Sequence, residues 1–487
     1  MAKICLGVDV GGTGCKCVAF SRSGEQLASC YQEYPLPAGA VNLPPETLVT
    51  SVYQVIRSCA ARLETPSEIA AVTVSSFGES FVAVDDHGEP LDDIRMYFGD
   101  SESAAFDALV QTVGAQRFME ICRILPDASY SLAKMLYTQE IAQKPKFLFI
   151  AGFLCWKLSG RVCTDVSLAC RTLLYDVTRG CWSRELLQAA SIREEQLPQV
   201  VQPGAALGAI LPDVAHALGL PENTVVVLGT HDQIVNALGA GVENIGDAVD
   251  TSGTCECITP LFPAIPEGLD FQHSNFACVP YLNRGYVTYA YNISAGSVVR
   301  WYRDALAWQL KQDGKSVYDV LNELSPSEPT NLMVLPFLQG MGGTPDVDPK
   351  ATGLIAGLTT QTRLPDIYRA ILEGITFEMR YNQEKLAESG VTITRLFACG
   401  GGARSRVWLQ IKADILGCPM IPLKTEETGA MGSAILGFAA VTGEDPFAIA
   451  KAFRDYGEPV MPNQKHQEFY NRRFALYKKL RAFYKEI

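Results

Sequence analysis

Histidine is scarce in this chain, five residues among 487, and no two stand at a spacing that would pair them on one metal ion. The 15 cysteines lack the two-residue gap usual for zinc. The closest pairs, Cys15/Cys17 and Cys255/Cys257, are separated by one residue, as alternate positions of a strand are. Buried structural thiols are expected, with neither a metal cluster nor a disulfide framework. No apolar run approaches the roughly 20 residues that cross a bilayer; the longest lies at 147–156. No block of like charge stands out, and a net charge of −12 argues against nonspecific nucleic-acid binding. A charged-then-apolar leader is missing too, since Met1-Ala2-Lys3 leads directly into a strand pattern. Low-complexity segments and short repeats are not found. A soluble protein of the cytoplasm is expected.

What is present is a large apolar fraction, 48%, in a chain too long for one hydrophobic core, so two or three domains are expected. Residues 4–10 read as a strand, followed by Gly11-Gly12-Thr13-Gly14 and a second strand at 15–20; a third lies near 26–34. The glycines allow positive φ and expose backbone N–H groups, which makes the turn a candidate anion nest. Asp9 cannot itself hold a phosphate, but it suits the positioning of Mg²⁺ or a metal-bound water. A plain tight hairpin is the alternative. An amphipathic helix follows at 45–64. Strands at 69–75 and 81–85 flank Ser76-Phe77-Gly78-Glu79-Ser80, polar residues at a strand end, where ligands commonly bind. Asp100 and Glu102 come next, as surface acids or ligands. The pattern from 101 to about 200 is mainly helical and includes Tyr130 and Lys134.

At the middle of the chain a buried strand at 224–228 runs into Gly229-Thr230-His231-Asp232-Gln233. That places Asp232 at the C-terminal edge of a sheet, where open α/β sheets bind ligands, as an acid/base candidate. Asp250-Thr251-Ser252-Gly253-Thr254 is a hydroxyl-and-glycine turn between two β-like runs, suited to cradling phosphate. A helix is expected from Ala295-Gly296-Ser297 to about 310, and a short strand at 331–335. The Gly/Pro-rich segment 336–353 is a candidate mobile loop. A long helix spans 364–388. A strand at 396–399 runs into Gly400-Gly401-Gly402-Ala403, and the helix after it carries Trp408, Ile411 and Ile415 on one face. Strand, triple glycine and helix N-terminus let a ligand approach the backbone closely. The G-x-G-x-x-G spacing and the P-loop lysine are both missing, and a tight strand–helix connection is the alternative. Residues 427–434 open a helix whose small side chains permit close packing. A final helix, at 463–486, packs by its aromatics.

These turns occur in one order: Asp9-Val10-Gly11-Gly12-Thr13 with Lys16, His231-Asp232-Gln233, Ser252-Gly253-Thr254, Gly400-Gly401-Gly402-Ala403 with Ser405 and Trp408, then 427–434. Over essentially its whole length the chain thereby resembles the FGGY carbohydrate kinases, members of the actin/hexokinase/Hsp70 ATPase superfamily. The resemblance implies an α/β fold of two ribonuclease-H-like (actin-like ATPase) domains with an interdomain cleft. Residues 1–244 would carry the sugar and the catalytic base, and residues 245–487 the nucleotide, with the C-terminal helix packing back toward the first domain. ATP and Mg²⁺ are the implied cofactors. Asp232 would be the general base, and Asp9 would orient Mg²⁺ through water. Gly11, Gly12, Thr13 and Lys16 would meet the phosphates, and Gly253 and Thr254 the β/γ end of ATP. Gly401, Gly402 and Ala403 would lie against the adenosine, with Gly296 and Arg300 nearby.

Phe77, Glu79, Tyr130, Asp232 and Gln233 are the substrate-pocket candidates. Glu79 falls where xylulose kinases usually carry histidine and glycerol kinase carries glutamate. Glycerol kinase has an arginine just before that glutamate; here the residue is Gly78. Gln233 again looks like glycerol kinase, whereas His231 does not. The family's Gly-Glu-Arg-Thr-Pro loop is replaced by Gly340-Met341-Gly342-Gly343-Thr344-Pro345, which removes two charges. A ketose, pentulose or hexulose, is the first expectation for the substrate, and glycerol or another short polyol the second. A regulatory protein that binds nucleotide or sugar without catalysis is the alternative of another class. The partners implied are a small sugar or polyol, with no nucleic acid and no membrane, and a homodimer is allowed.

Overall fold

The computed structural model describes residues 3–37, 39–97, 103–142 and 144–484; Asp100 and Glu102 lie outside the described residues. The chain forms two compact α/β units. Residues 1–243, 278–286 and 427–454 make the first, and residues 244–277, 287–426 and those from Asp455 onward make the second.

The first unit is built on strands β1 (Ile4–Val10), β2 (Gly14–Ser21), β3 (Gln26–Glu33), β4 (Ile69–Ser76), β5 (Ala206–Ala209) and β6 (Val225–His231), in the spatial order β5-β6-β4-β1-β2-β3. β1, β2 and β3 pair antiparallel, while β4 and β6 run parallel to β1. The parallel strands are buried on both faces, which is why they read as continuous apolar runs. Helix Pro45–Ala60 covers β2 and β3 with Leu48, Val52, Val55, Ile56 and Cys59. Helix Thr428–Thr442 packs on β1, β4 and helix Asp232–Ala240, and its first eleven residues are all buried. A helix buried all round shows no amphipathic stripe.

In the second unit β7 (Asp247–Ser252) and β8 (Glu256–Phe262) form an antiparallel hairpin, β9 (Ala290–Asn292) pairs antiparallel to β8, and β10 (Arg395–Cys399) and β11 (Met420–Pro422) lie parallel to β7. The order β11-β10-β7-β8-β9 repeats β6-β4-β1-β2-β3 of the first unit, strand for strand and in direction. Each unit thus places a glycine-bearing turn after its first strand. The core beneath is aromatic: on helix Leu364–Glu388 Phe377 meets Tyr470, Phe474 and Tyr477 of helix Gln464–Tyr484.

Three expectations need correction. The chain does not divide once at 244, because 427–454 returns to the first unit, where its small residues let a helix lie against backbone. The C-terminal helix belongs to the second unit, into which its aromatics and Arg481, 2.8 Å from Glu378, tie it. The segment 336–353 is anchored instead of loose: Arg481 holds Asp346 at 2.6 Å, Met341 and Asp348 exchange backbone hydrogen bonds, and Thr344 accepts one from Tyr291 N–H at 2.9 Å. All 15 cysteines are free thiols, with only Cys181 and Cys255 exposed. Among the described residues no helix is long and apolar enough to cross a membrane, and no cluster of three His, Cys, Asp or Glu side chains could hold a metal.

Candidate active site

Parallel pairing of β1, β4 and β6 brings three strand ends to one edge of the first sheet, with Val10 opposite Ser76 and Ser76 opposite His231. Asp9, Phe77-Gly78-Glu79 and Asp232 are thereby gathered from residues far apart in sequence. His231 caps helix Asp232–Ala240: its Nδ1 accepts the Gln233 N–H at 3.2 Å. That nitrogen also lies 3.0 Å from Asp232 Oδ1. As an acceptor it carries no proton to offer, so Asp232 Oδ1 is left as a buried oxygen without a donor, and Gln233 Oε1 is another. Buried polar atoms are nearly always paired, so these two adjacent acceptors are candidates for contact with a ligand.

Beneath them Asp165 accepts from Ser167 Oγ at 2.6 Å and Thr230 Oγ1 at 2.8 Å, and Ser167 Oγ accepts the His231 N–H at 2.9 Å. Burial pushes the Asp165 carboxyl up, and these hydrogen bonds pull it back. This hydroxyl network fixes the end of β6.

Glu79 holds a left-handed backbone, φ 63°, rare for a residue with a side chain and typical of functional sites. Its carboxylate pairs with Arg171, both side chains only about a tenth exposed. The guanidinium in turn lies 4.8 Å from the centre of the Tyr130 ring. Gly78 has no room for a side chain: a Cβ would sit 2.8 Å from His231 Cδ2 and 3.2 Å from Arg171 Cγ. Arg171 reaches Glu79 from the end of the short helix Val166–Cys170. Phe77 is buried and donates its N–H to Val10 O.

Lys134 is 4% exposed and donates to the carbonyls of Ser129 and Tyr130. Burial lowers its pKa to about 8, against the pull of Glu79 and Asp127. Between about pH 8 and the ordinary 10.5 the unfolded chain binds more protons here than the folded one, so this lysine makes stability rise with pH across that window. The rise amounts to about 3 kcal/mol. Urea denaturation at pH 7.5 and pH 10 should show it, and Lys134→Met should flatten it.

Asp9 is paired across the hairpin with Lys16 and lies at the start of helix Thr428–Thr442, where a Cβ on Gly429 would be 2.5 Å from Asp9 Oδ2. Burial first, then the charge of Asp232, raise its carboxyl to about 7; Lys16 opposes the rise and Glu427 adds to it. Lys16 is held by Glu427 at 2.8 Å. The turn at 11–14 is not a left-handed nest: none of the positive-φ positions falls on Gly11, Gly12 or Gly14. It is a tight hairpin closed by Gly11 N–H to Gly14 O at 2.9 Å, with Thr13 exposed at its tip. Glycine is required at 14, where a Cβ would meet Gln32 O at 2.5 Å.

In the second unit Gly253, Thr254, Gly296, Arg300, Gly401 and Gly402 line one cavity of about 480 Å³. Arg300 donates to Thr254 Oγ1 at 2.9 Å. Gly296 is glycine because a Cβ would lie 2.1 Å from Gly253 O. Gly400 takes φ 80°, after which a single 3-10 turn, Gly401–Arg404, precedes helix Arg406–Leu416, capped by Ser405. Trp408, Tyr368 and Asn322 also line it; Ala403 belongs to the turn and is not among the lining residues.

Residues 4–239 match the N-terminal domain of the FGGY family of carbohydrate kinases, and residues 269–441 its C-terminal domain. The chain is 25% identical to a xylulose kinase of Bacillus subtilis, covering 100% of this chain and 98% of that protein. It is 25% identical to an L-fuculokinase of Escherichia coli K12, covering 90% and 93%. Among solved structures, a xylulose kinase from Lactobacillus acidophilus shares the fold with a TM-score of 0.87 at 24% identity, covering 99% and 98%. Plasmodium falciparum glycerol kinase with ADP does so at 0.84 and 17%, covering 98% and 97%. With both family domains matched in order, the chain belongs to the FGGY family of carbohydrate kinases and is a sugar kinase.

Proposed function

We propose that this kinase transfers the γ-phosphoryl group of ATP to a hydroxyl of a small ketose, a pentulose or hexulose, with Asp232 as general base. The observation that carries the reading is the buried Asp232 Oδ1, an acceptor without a donor at the C-terminal end of β6. A sugar hydroxyl placed there donates to the carboxylate and loses its proton to it as the oxygen attacks. Phe77, Glu79, Tyr130 and Gln233 form the rest of the sugar pocket in the first unit, residues 1–243 with 278–286 and 427–454. The cavity lined by Gly253, Thr254, Gly296, Arg300, Gly401 and Gly402 takes the nucleotide, with Ala403 behind the adenosine. Gly11, Gly12, Thr13 and Lys16 meet the phosphates, for which Lys16 exchanges Glu427 for a phosphate oxygen.

Asp9 fits a water-mediated role toward Mg²⁺. A Mg²⁺ ion keeps several waters and takes only one or two carboxylates plus phosphate oxygens, and this edge offers single carboxylates instead of a three-ligand cluster. When bound, Mg²⁺ neutralises charge on the phosphates. Asp9 and Asp232 themselves place two carboxylates in electrostatic reach of each other, so a cation between nucleotide and protein relieves their repulsion.

The names of the relatives, xylulose kinase above all, favour a ketose. The ion pair of Arg171 with Glu79 favours a second reading, a short polyol, because it sets a guanidinium beside the glutamate as the glycerol kinase pattern does. A coupled ADP-release assay over polyols, pentuloses and hexuloses separates them. Sugar-dependent release is expected to be fastest with a pentulose or hexulose. Reaction with triols alone overturns the ketose reading, and no sugar-dependent release with any of these compounds points to a regulatory protein. Arg171→Ala leaves Glu79 without its charged partner in the pocket, so it is expected to raise KM for the sugar about tenfold or more, the worth of one charge-assisted hydrogen bond, and leave KM for ATP unchanged.

A further inference from the structure

Below the turn at 252–254 lies a group of buried charges that the reaction as described does not use. Lys412, 1% exposed on helix Arg406–Leu416, has its ammonium 2.5 Å from Asp250 Oδ2 and 2.9 Å from Glu256 Oε1, and both carboxylates are fully buried. The same ammonium donates to Ser252 Oγ at 2.5 Å, and Ser252 Oγ donates to Asp250 Oδ1 at 3.1 Å. Asp250 and Ser252 are two residues apart on β7, and Ser252 stands opposite Glu256 on β8, so the three project from one face of the hairpin. The ammonium also lies 4.6 Å from the centre of the Trp408 ring. Cys418, the other titratable group facing Asp250, is kept neutral by burial.

Ser252 is where the two walls of the cavity meet. A Cβ on Gly402 would lie 2.5 Å from Ser252 Cβ, and one on Gly400 would lie 2.8 Å from Ser252 O. Whatever fixes Ser252 therefore fixes the spacing between the hydroxyl turn and the triple-glycine turn. The charge balance points the same way. Two carboxylates under the floor of a cavity that accepts polyphosphate repel the ligand unless they are neutralised, and Lys412 is the cation placed between them. Burying three charges costs several kcal/mol per ion before pairing, which a merely apolar core would avoid.

We propose that Lys412 is a positioning residue for the nucleotide: its ammonium anchors Ser252 and offsets one of the two carboxylate charges of Asp250 and Glu256, so that the cavity floor repels the phosphates of a nucleoside di- or triphosphate less. The inference rests on the reading of this cavity as the nucleotide site. ADP binding by calorimetry on the full chain, with KM for the sugar as internal control, tests it. Lys412→Met is expected to weaken ADP binding about tenfold or more with KM for the sugar within about twofold. Adding Glu256→Gln to it should restore most of the lost affinity, because one uncompensated carboxylate is removed. A double variant that binds no better than Lys412→Met makes the role one of packing and overturns the proposal, as does unchanged ADP binding by Lys412→Met. Should Lys412→Met fail to fold, Ser252→Ala, which leaves the ion cluster paired, is expected to weaken ADP binding, and Glu256→Gln alone to bind ADP at least as well as wild type. Unchanged affinity in Ser252→Ala, or weaker binding by Glu256→Gln, counts against the proposal. Gly401→Asp separates the two levels: a Cβ on Gly401 would have Ser252 O as its nearest neighbour, at 4.0 Å, so the backbone accepts the substitution and a carboxylate is added to the cavity lining. If Gly401→Asp still binds ADP normally, the cavity is not the nucleotide site and the proposal falls with it. If Gly401→Asp abolishes binding while Lys412→Met does not, the inference alone fails.

Discussion

Asp232→Asn is expected to bind ADP as the wild type does and to lose turnover by about 10²–10⁴-fold, the usual worth of a positioned general base. The substitution keeps shape and volume at the first position of helix Asp232–Ala240, so the capping by His231 and the hydroxyl network of Asp165, Ser167 and Thr230 remain. What it removes is the ability to accept a proton from a hydroxyl lodged against Oδ1. Phosphoryl transfer depends mainly on positioning and charge stabilisation, so a residual rate should persist. Single-turnover ADP release at saturating sugar measures the loss, and near-normal turnover would rule Asp232 out as the base. The charge on Asp232 also raises the Asp9 carboxyl. Asp9 should therefore ionise at lower pH in the variant, shifting the acid limb of any residual activity downward.

The second large effect concerns stability. Helix Thr428–Thr442 enters the first unit through glycines that meet main chain. A Cβ on Gly432 would lie 1.9 Å from Val235 O, one on Gly239 2.1 Å from Thr428 O, and one on Gly7 1.9 Å from Ala430 O. No rotamer relieves such contacts, since each obstructing atom is a backbone carbonyl; the helices and β1 must move apart. Overpacking usually costs about 1–3 kcal/mol and occasionally more, and Gly432→Ala belongs at or above the top of that range. Gly437→Ala should cost less, because its nearest obstacle is the Thr73 hydroxyl at 2.6 Å, which can turn away. Urea unfolding followed by circular dichroism should rank wild type above Gly437→Ala above Gly432→Ala. Equal midpoints for Gly432→Ala and wild type would mean that this contact carries no such constraint.

Much of the candidate site was legible in the sequence because it is carried by strand ends. An apolar run followed by Thr-His-Asp-Gln, or by three glycines, reports its own place at the edge of a sheet. Arg171 was not legible, since it meets Glu79 across 92 positions from a five-residue helix with no periodic signature. Lys412 left a faint sign: it stands on the same helical stripe as Trp408, Ile411 and Ile415, where a charge is out of place. The Gly/Pro-rich segment at 336–353 read as a mobile loop because it carries no periodic pattern of its own; Arg481, whose side chain anchors it, is 135 residues from Asp346. The return of 427–454 was hidden for the opposite reason, since a helix buried on every side has no stripe to say which unit it faces.

That return has a consequence in time. A ribosome completes the strands of the first sheet by residue 231, yet the helix that covers β1 and β4 is made only after residue 427. At the usual pace of synthesis, about 5–20 residues per second, the first half of the chain waits roughly 10–40 s with that apolar surface bare. The unit that begins first cannot close its core until the other unit is almost entirely made.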